Sequence, residues 1–280
     1  MKILVTGVNG QLGHDVVEEL DRRGIPCRGV DIADFDLTDG GQVRSFIEGY
    51  APDAVIHCAA YTAVDRAEDN REACYAVNVD GTSHVAKACA EIGAKLMYIS
   101  TDYVFDGSGD QPFAVDAPTG PQSVYGETKL LGEERVKAAL SRYFIVRISW
   151  VFGVNGGNFV RTMLRLGREK EELSVVCDQV GSPTYTFDLA KLLCDMIVTE
   201  KYGVYHATNE GVCSWYEFAC EIMKQAGLAC TVKPILSKDY PAKAARPLNS
   251  RLDKRSLDQA GFARLRDWHD ALRDYLSRIL

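Results

Sequence analysis

The apolar residues of the first hundred positions fall into short runs, separated by longer stretches with helical spacing. Ile3 to Val5, Asp53 to Cys58 and Lys95 to Ser100 are largely apolar at consecutive positions, and Cys27 to Asp31, between Pro26 and the next loop, reads as a further strand. That is the pattern of strands buried on both faces of a parallel sheet. Between them, His14 to Arg23 sets Val16, Val17 and Leu20 on one side of a helix, and Gln42 to Tyr50 makes a shorter one. Ala73 to Ile92 reads as a third helix, with Val77, Val85, Ala88 and Ile92 among its apolar residues. Gly24 and Gly93 stop the first and third helices, and Pro26 and Pro52 stand just ahead of strands. The order βαβαβαβ predicts an α/β fold with a doubly wound parallel sheet and right-handed crossovers. Ligands of such sheets gather beyond the carboxyl ends of the strands.

A loop rich in Gly, Asp and Pro follows the fourth strand, and Ser123 to Leu140 is a further helix. Past residue 150 come a helix over Asn158 to Arg168, a strand near Leu173 to Cys177 and a helix over Asp188 to Val198. A strand from Val204 to Ala207, a helix from Trp215 to Gln225 and a strand from Cys230 to Ile235 continue the series. A loop then runs through Pro234, Pro241 and Pro247.

Three glycines at spacings of three, in Thr6-Gly7-Val8-Asn9-Gly10-Gln11-Leu12-Gly13, join the first strand to the first helix. Such a turn lets backbone approach a pyrophosphate, whose charge the helix N-terminus favours. A plain glycine-rich connection would look the same on this stretch alone. Asp31 lies 18 residues past Gly13, at the end of the second strand. There an acid accepts hydrogen bonds from an adenosine ribose and repels a 2′-phosphate, unless it is only a turn aspartate. Ala59-Ala60-Tyr61-Thr62 forms a small-residue turn at the end of the third strand, where a flat ligand can lie close to the sheet. Thr101 projects a hydroxyl from the end of the fourth. On the helix after it, Tyr125 and Lys129 are four residues apart and share a face.

The chain therefore divides into a dinucleotide-binding Rossmann part over 1–152, which also receives strands and helices from about 178–208, and a smaller C-terminal α/β lobe over 153–280, mainly substrate-binding. Lys243, Arg246 and Arg251 near the late loop either meet a diphosphate or are solvated surface charge.

Composition narrows the partners. Net charge is −7 with no Lys/Arg block, which argues against a nucleic-acid face. No apolar run approaches the ~18 residues of a membrane span, and the start of the chain has no basic, apolar leader, so a cytoplasmic protein is expected. The nine cysteines are scattered with no C-x-x-C pair and read as small core residues in a reducing compartment. The five histidines show no ligand spacing, so no structural metal is expected, and His206 reads as a strand residue in the core rather than a base.

The glycine turn, Thr101 and Tyr125-x-x-x-Lys129 together resemble the extended short-chain dehydrogenase/reductase superfamily. Within it the chain resembles the dTDP-4-dehydrorhamnose reductase family. The segments that carry this are Ala59-Ala60-Tyr61-Thr62-Ala63-Val64-Asp65, Ser100-Thr101-Asp102-Tyr103-Val104-Phe105 and Arg147-Ile148-Ser149-Trp150-Val151-Phe152. Gly157-Asn158-Phe159, Asp178-Gln179-Val180-Gly181-Ser182-Pro183-Thr184 and Arg246-Pro247-Leu248-Asn249-Ser250-Arg251-Leu252 extend the likeness nearly end to end. The resemblance implies reduction of dTDP-4-dehydro-β-L-rhamnose by NADH or NADPH. Tyr125 would be the general acid, Lys129 its helper and the ribose ligand, and Thr101 the carbonyl contact. Cofactor would lie along Gly7, Asn9, Gly10, Gln11, Leu12 and Gly13, then Asp31, Asp36, Leu37, Ala59, Ala60, Tyr61 and Thr62, ending at Tyr125 and Lys129. Substrate would meet Thr101, Asp102, Tyr103, Trp150, Asn158 and Arg246, with Trp150 against the deoxysugar. Asp31 favours NADH, although Arg28 and a flexible loop would admit NADPH.

Some members of the family dimerise through a magnesium ion held by glutamates. This chain has Asp15 at one such position, but Thr186-Phe187-Asp188 departs at the other, so no metal is expected and the chain is a monomer or a homodimer. A nucleotide-sugar 4,6-dehydratase would carry Asp-Glu after the threonine for proton shuttling; here Asp102 is followed by Tyr103. A 4-epimerase uses the same Tyr/Lys pair and stays open, as does a catalytically silent regulatory relative.

Overall fold

The computed structural model describes all 280 residues. The first half runs β1 (Ile3–Thr6), α1 (Gln11–Arg22), β2 (Cys27–Val30), α2 (Gly40–Tyr50), β3 (Ala54–His57), α3 (Val64–Asp69) and α4 (Arg71–Tyr75). A π-helical turn, Ala76–Gly81, joins α4 to α5 (Thr82–Ile92), and then come β4 (Lys95–Thr101), α6 (Val124–Ala139) and β5 (Tyr143–Ile148). The second half runs β6 (Val151–Phe152), α7 (Phe159–Glu169), β7 (Glu172–Val176), β8 (Val180–Gly181), β9 (Thr184–Tyr185), α8 (Thr186–Ile197) and β10 (Gly203–His206). It closes with β11 (Cys213–Ser214), α9 (Trp215–Gln225), β12 (Thr231–Ile235), β13 (Asn249–Ser250), α10 (Arg255–Ala260) and α11 (Trp268–Ile279).

Six parallel strands form the main sheet in the order β10-β5-β4-β3-β1-β2. Successive residues of its central strands feed two cores. Ile3, Val5, Ala54, Ile56, Met97, Ile99, Phe144 and Val146 pack under α1 and α8. Leu4, Val55, Leu96, Tyr98 and Ile145 pack on the other face, under α2, α5 and α6. Burial on both faces is why these strands read as unbroken apolar runs. The chain leaves β1 toward β2 on one side and reaches β3 on the other, so the crevice above β1 is the topological switch point.

β5 and α11 lie outside the elements expected from the pattern, and the helix expected over 73–92 is interrupted by the π-helical turn. Asn78 within that turn explains the interruption. Its Oδ1 accepts from Tyr61 N at 2.8 Å, and its Nδ2 donates to Tyr61 O at 3.2 Å and Thr128 Oγ1 at 3.1 Å. One amide thus ties the turn after β3 to α6, and the extra residue of a π turn aims it there.

A third core, built on Phe152, Tyr185, Phe218, Trp268 and Tyr275, belongs to α7, α9, α11 and their short strands. This second lobe joins the sheet through α8 and β10 and faces the carboxyl ends of β4 and β5. His206 is fully buried on β10, where burial and nearby Arg147 push its pKa down to about 3 and keep it neutral. No helix is long and apolar enough to cross a membrane.

Candidate active site

A cleft of about 610 Å³ opens along the carboxyl edge of the sheet, between it and the second lobe. Gly7, Asn9, Gly10, Gln11, Leu12, Gly13, Asp31, Ala59, Ala60 and Thr62 line one end. Thr101, Asp102, Tyr103, Tyr125, Lys129 and Trp150 line the other. The structure therefore brings together residues from six separate stretches of chain.

At the first end, Gly10 caps α1 with no side chain, so the amides of Gln11, Leu12 and Gly13 begin the helix without partners from it. A Cβ at Gly13 would fall 2.3 Å from Gly7 O, so only glycine lets the turn fold this tightly. Beneath the turn, Thr6 Oγ1 bonds His57 Nδ1 at 2.7 Å and accepts from Ala59 N at 3.2 Å, which locks the ends of β1 and β3 together. A cradle of free helix amides beside small residues fits the pyrophosphate of a dinucleotide.

At the other end, Ser123 caps α6 by accepting from Gly126 N at 3.2 Å, which fixes where the helix starts. A Cβ at Gly126 would lie 2.3 Å from Tyr103 O, so glycine there lets α6 lie directly on the chain after β4. This close approach buries Lys129. Its Nζ donates to Ile99 O at 2.7 Å and sits 4.0 Å above the Tyr98 ring. Burial pulls the Lys129 pKa down to about 7, against the charge of Glu133. Burial also pushes the Tyr125 phenol well above its ordinary range, opposed by the neighbouring Thr101 hydroxyl.

Thr101 Oγ1 donates to Asp102 Oδ1 at 3.0 Å and accepts from Tyr103 N at 3.3 Å. Ser250 Oγ, from the second lobe, donates to Asp102 Oδ2. The Asp102 carboxyl is 3% exposed, and burial raises its pKa to about 6 despite these two donors. The Tyr103 ring meets Tyr125 edge-on at 5.4 Å. Trp150 holds φ at 50°, a left-handed backbone that a bulky residue keeps only where its surroundings impose it.

Other residues expected at the site are not among those that line the cleft. Asp36 Oδ1 closes a local turn onto Thr38 N at 2.9 Å, and Leu37 packs against the core under α2. Tyr61 is held by Asn78 behind the lining. Asn158 caps α7, and its Nδ2 donates to Gln11 Oε1 at 3.0 Å and Gly153 O at 2.9 Å, with Tyr275 Oη 3.2 Å away. It braces the second lobe against the glycine turn, with its amide already occupied. Arg246 spends its guanidinium on Asp65, at 3.0 and 2.7 Å, and is not among the lining residues. Lys243 pairs with Asp69 on the same helix, and Arg251 bonds Asn249 Oδ1 at 3.0 Å. Conversely Trp215, the first residue of α9, lines the cleft without having been expected there; a tryptophan at a helix start reads simply as core.

His14, Asp15 and Glu18 offer ligand atoms within 4.8 Å of one another. They do not fit a magnesium ion bridging two chains: Asp15 is 5% exposed, and its Oδ2 accepts from Thr186 Oγ1. Asp188, at the other expected position, is taken up by Asn209 Nδ2 at 3.0 Å and Arg266 Nε at 2.8 Å.

A family model described as the RmlD substrate binding domain matches residues 1–280. The spore coat polysaccharide biosynthesis protein SpsK of Bacillus subtilis is 42% identical over 275 residues, covering 98% of this chain and 96% of that protein. A dTDP-4-dehydrorhamnose reductase of Streptomyces griseus is 42% identical over 276 residues, covering 96% of this chain and 91% of its own. The crystal structure of dTDP-4-dehydrorhamnose reductase from Bacillus anthracis in complex with NADP superposes with a TM-score of 0.97, at 42% identity and 99% coverage of both chains. The chain belongs to the dTDP-4-dehydrorhamnose reductase family and is an NAD(P)H-dependent oxidoreductase.

Proposed function

We propose that this protein reduces the C4 ketone of dTDP-4-dehydro-β-L-rhamnose, giving dTDP-β-L-rhamnose, the last step in making that activated sugar. The observation that carries the reading is the meeting of Thr101, Tyr125 and Lys129 at one end of a cleft whose other end is the glycine cradle. Bound NAD(P)H supplies the hydride, and the chain must handle the charge that reaches the ketone oxygen.

Tyr125 holds its proton firmly at neutral pH, because burial disfavours the phenolate, and delivers it to that oxygen as general acid. Lys129, one turn further along α6, offsets the charge left on the tyrosine and reaches the nicotinamide ribose. The Thr101 hydroxyl, now turned to Asp102, swings to the carbonyl and exchanges one acceptor for another. Trp150 and Trp215 supply the aromatic wall for the deoxysugar. The sheet and α8 hold the cofactor, and the second lobe covers mainly the nucleotide sugar. Nine free cysteines support a reducing, cytoplasmic setting.

The test is to mix purified protein with dTDP-4-dehydrorhamnose and either NADH or NADPH, following nicotinamide absorbance and identifying the sugar by NMR. Stoichiometric oxidation of cofactor with appearance of dTDP-rhamnose is expected. If neither cofactor is oxidised, the chain is a silent relative and the reading is wrong.

A further inference from the structure

Behind the cleft, one buried carboxylate ties together three elements that carry the site. Glu133 has no exposed surface and stands on α6 one turn beyond Lys129 and two beyond Tyr125. Its Oε1 accepts from Ser100 Oγ at 2.6 Å and from Arg147 Nε at 2.8 Å, and its Oε2 from Arg147 Nη2 at 2.7 Å. Ser100 directly precedes Thr101 on β4. Arg147 is the register partner of Ser100 on β5 and lies three residues before Trp150. Arg147 is 3% exposed, donates to Val115 O at 3.0 Å and packs 5.0 Å from the Phe105 ring.

A buried ion pair is a poor device for stability alone. Desolvating two charges costs about as much as their attraction returns, and apolar side chains of similar volume often do as well. What a bidentate guanidinium–carboxylate pair adds is direction, since both partners are planar and accept only a narrow range of poses. Here that direction sets α6 against β4 and β5 beneath the place where Tyr125, Thr101 and Trp150 converge. The carboxylate also places a negative charge beneath Lys129.

We propose that Glu133 is a positioning residue for ketone reduction, one that fixes Thr101 and Trp150 relative to Tyr125 and sustains the Lys129 ammonium. This rests on the reductase reading above. The groups facing Lys129 are Glu133 and Tyr125 on α6, the Tyr98 ring on β4, His57 on β3, Cys58 beyond β3 and Cys74 on α4. Of these, Glu133 is the one that carries charge at neutral pH. Facing Glu133 are Arg147 on β5, Ser100 on β4 and Lys137 on α6 at 3.5 Å, with His206 of β10 beyond Arg147. Burial alone would raise the Glu133 pKa, but Arg147 outweighs it and keeps the carboxyl ionised.

The sign of the electrostatic effect is fixed. Removing the negative charge makes the Lys129 ammonium harder to hold, so the high-pH limb of kcat moves to lower pH. Glu133→Gln is therefore expected to lower kcat by about tenfold to a hundredfold, the cost of a small misplacement of reacting groups. KM for the cofactor should change little, KM for the sugar nucleotide should rise no more than a few fold through the loosened Trp150, and the high-pH limb should move down. The double substitution Glu133→Leu with Arg147→Met removes both charges together, so that neither is left buried and unpaired. It is expected to remain folded yet show a similar loss of kcat, with a smaller displacement of the limb because the opposing Arg147 charge goes too, and it decides the matter if the single variant does not fold. Recovery of wild-type kcat in the double variant would show that the pair is only structural and overturn the proposal. Wild-type protein assayed alongside separates the two readings, because its failure to turn over counts against the reductase reading instead.

Discussion

The indole of Trp150 lies on that of Trp215, with ring centroids 3.8 Å apart and planes 14° from parallel. Trp150 follows β5 of the sheet, and Trp215 begins α9 of the second lobe, where Phe159 meets it at 4.5 Å. The stack is thus a point at which the second lobe grips the sheet side of the cleft. It also explains how Trp150 keeps its left-handed backbone, since the indole is held from the far side. Replacing Trp215 by alanine removes the support while leaving Tyr125, Thr101 and Lys129 in place. An aromatic pair adds about 0.5–1.5 kcal/mol beyond area burial, so KM for the nucleotide sugar should rise about threefold to tenfold. KM for the nicotinamide cofactor should stay put. Steady-state kinetics with each substrate varied in turn checks this, and a rise confined to the cofactor would contradict it.

Tyr125→Phe removes one hydroxyl from a ring wedged edge-on against Tyr103. Fold and cofactor binding should persist, and turnover should fall about 10²-fold or more, the range for loss of a general acid. Rapid-quench turnover combined with cofactor titration by fluorescence measures both. Unchanged turnover would remove Tyr125 from its assigned role.

The legible parts of this molecule were those whose cause is local. β1, β3 and β4 are apolar on consecutive residues because both faces are covered, and α6 announces itself by a serine cap and a face shared by Tyr125 and Lys129. The parts not legible depend on distant partners. β5 contains Arg147, which makes sense inside a sheet only once Glu133, 14 residues earlier, is known to receive it. The π-helical turn at Ala76–Gly81 has ordinary helical composition and is decided by what Asn78 reaches. The two-residue strands β8, β11 and β13 pair across long separations and leave no periodicity to read. Asn158 and Arg246 were expected to face substrate; in the structure the first braces the glycine turn and the second pairs with Asp65, and a motif does not tell such contacts from a contact with ligand. α11 is a different case: Trp268, Ala271, Leu272, Tyr275 and Leu276 carry a plain helical spacing, and nothing physical hides it.

Asp102 should leave a trace in the pH dependence of stability. Its carboxyl rises from an ordinary 3.8 to about 6 on folding, because burial disfavours the charge. Between those values the folded state holds a proton that the unfolded state has released, so stability falls as pH rises through that window. The difference of roughly two pH units corresponds to about 3 kcal/mol as an order of magnitude. Asp102→Asn has no proton to lose there. Denaturant unfolding near pH 4 and again above pH 6 should show wild type losing more stability than the variant over that interval. Parallel losses in the two proteins would mean that Asp102 does not titrate in this range.

Cofactor choice turns on Asp31. Its Oδ2 accepts from Asn9 N at 2.9 Å and its Oδ1 from Ile32 N at 2.9 Å, so the carboxylate is pinned at the end of β2 and lines the cleft. The cation on the strand, Arg28, is engaged elsewhere: it lies 3.8 Å from Asp34 and 4.6 Å above the Phe46 ring. A 2′-phosphate would meet a fixed negative charge while Arg28 is paired with Asp34, whereas a 2′-hydroxyl would find an acceptor. Wild type should therefore use NADH with the higher kcat/KM while still turning over NADPH. Asp31→Asn keeps one acceptor oxygen and removes the charge, so the ratio of NADPH to NADH efficiency should rise about tenfold, the equivalent of 1.4 kcal/mol of relieved repulsion. Raising the ionic strength should narrow the gap in wild type and leave the variant nearly unaffected, because screening acts only where the repulsion exists. Equal efficiencies for both cofactors in wild type at low salt would show that the Arg28 loop rearranges to meet the phosphate.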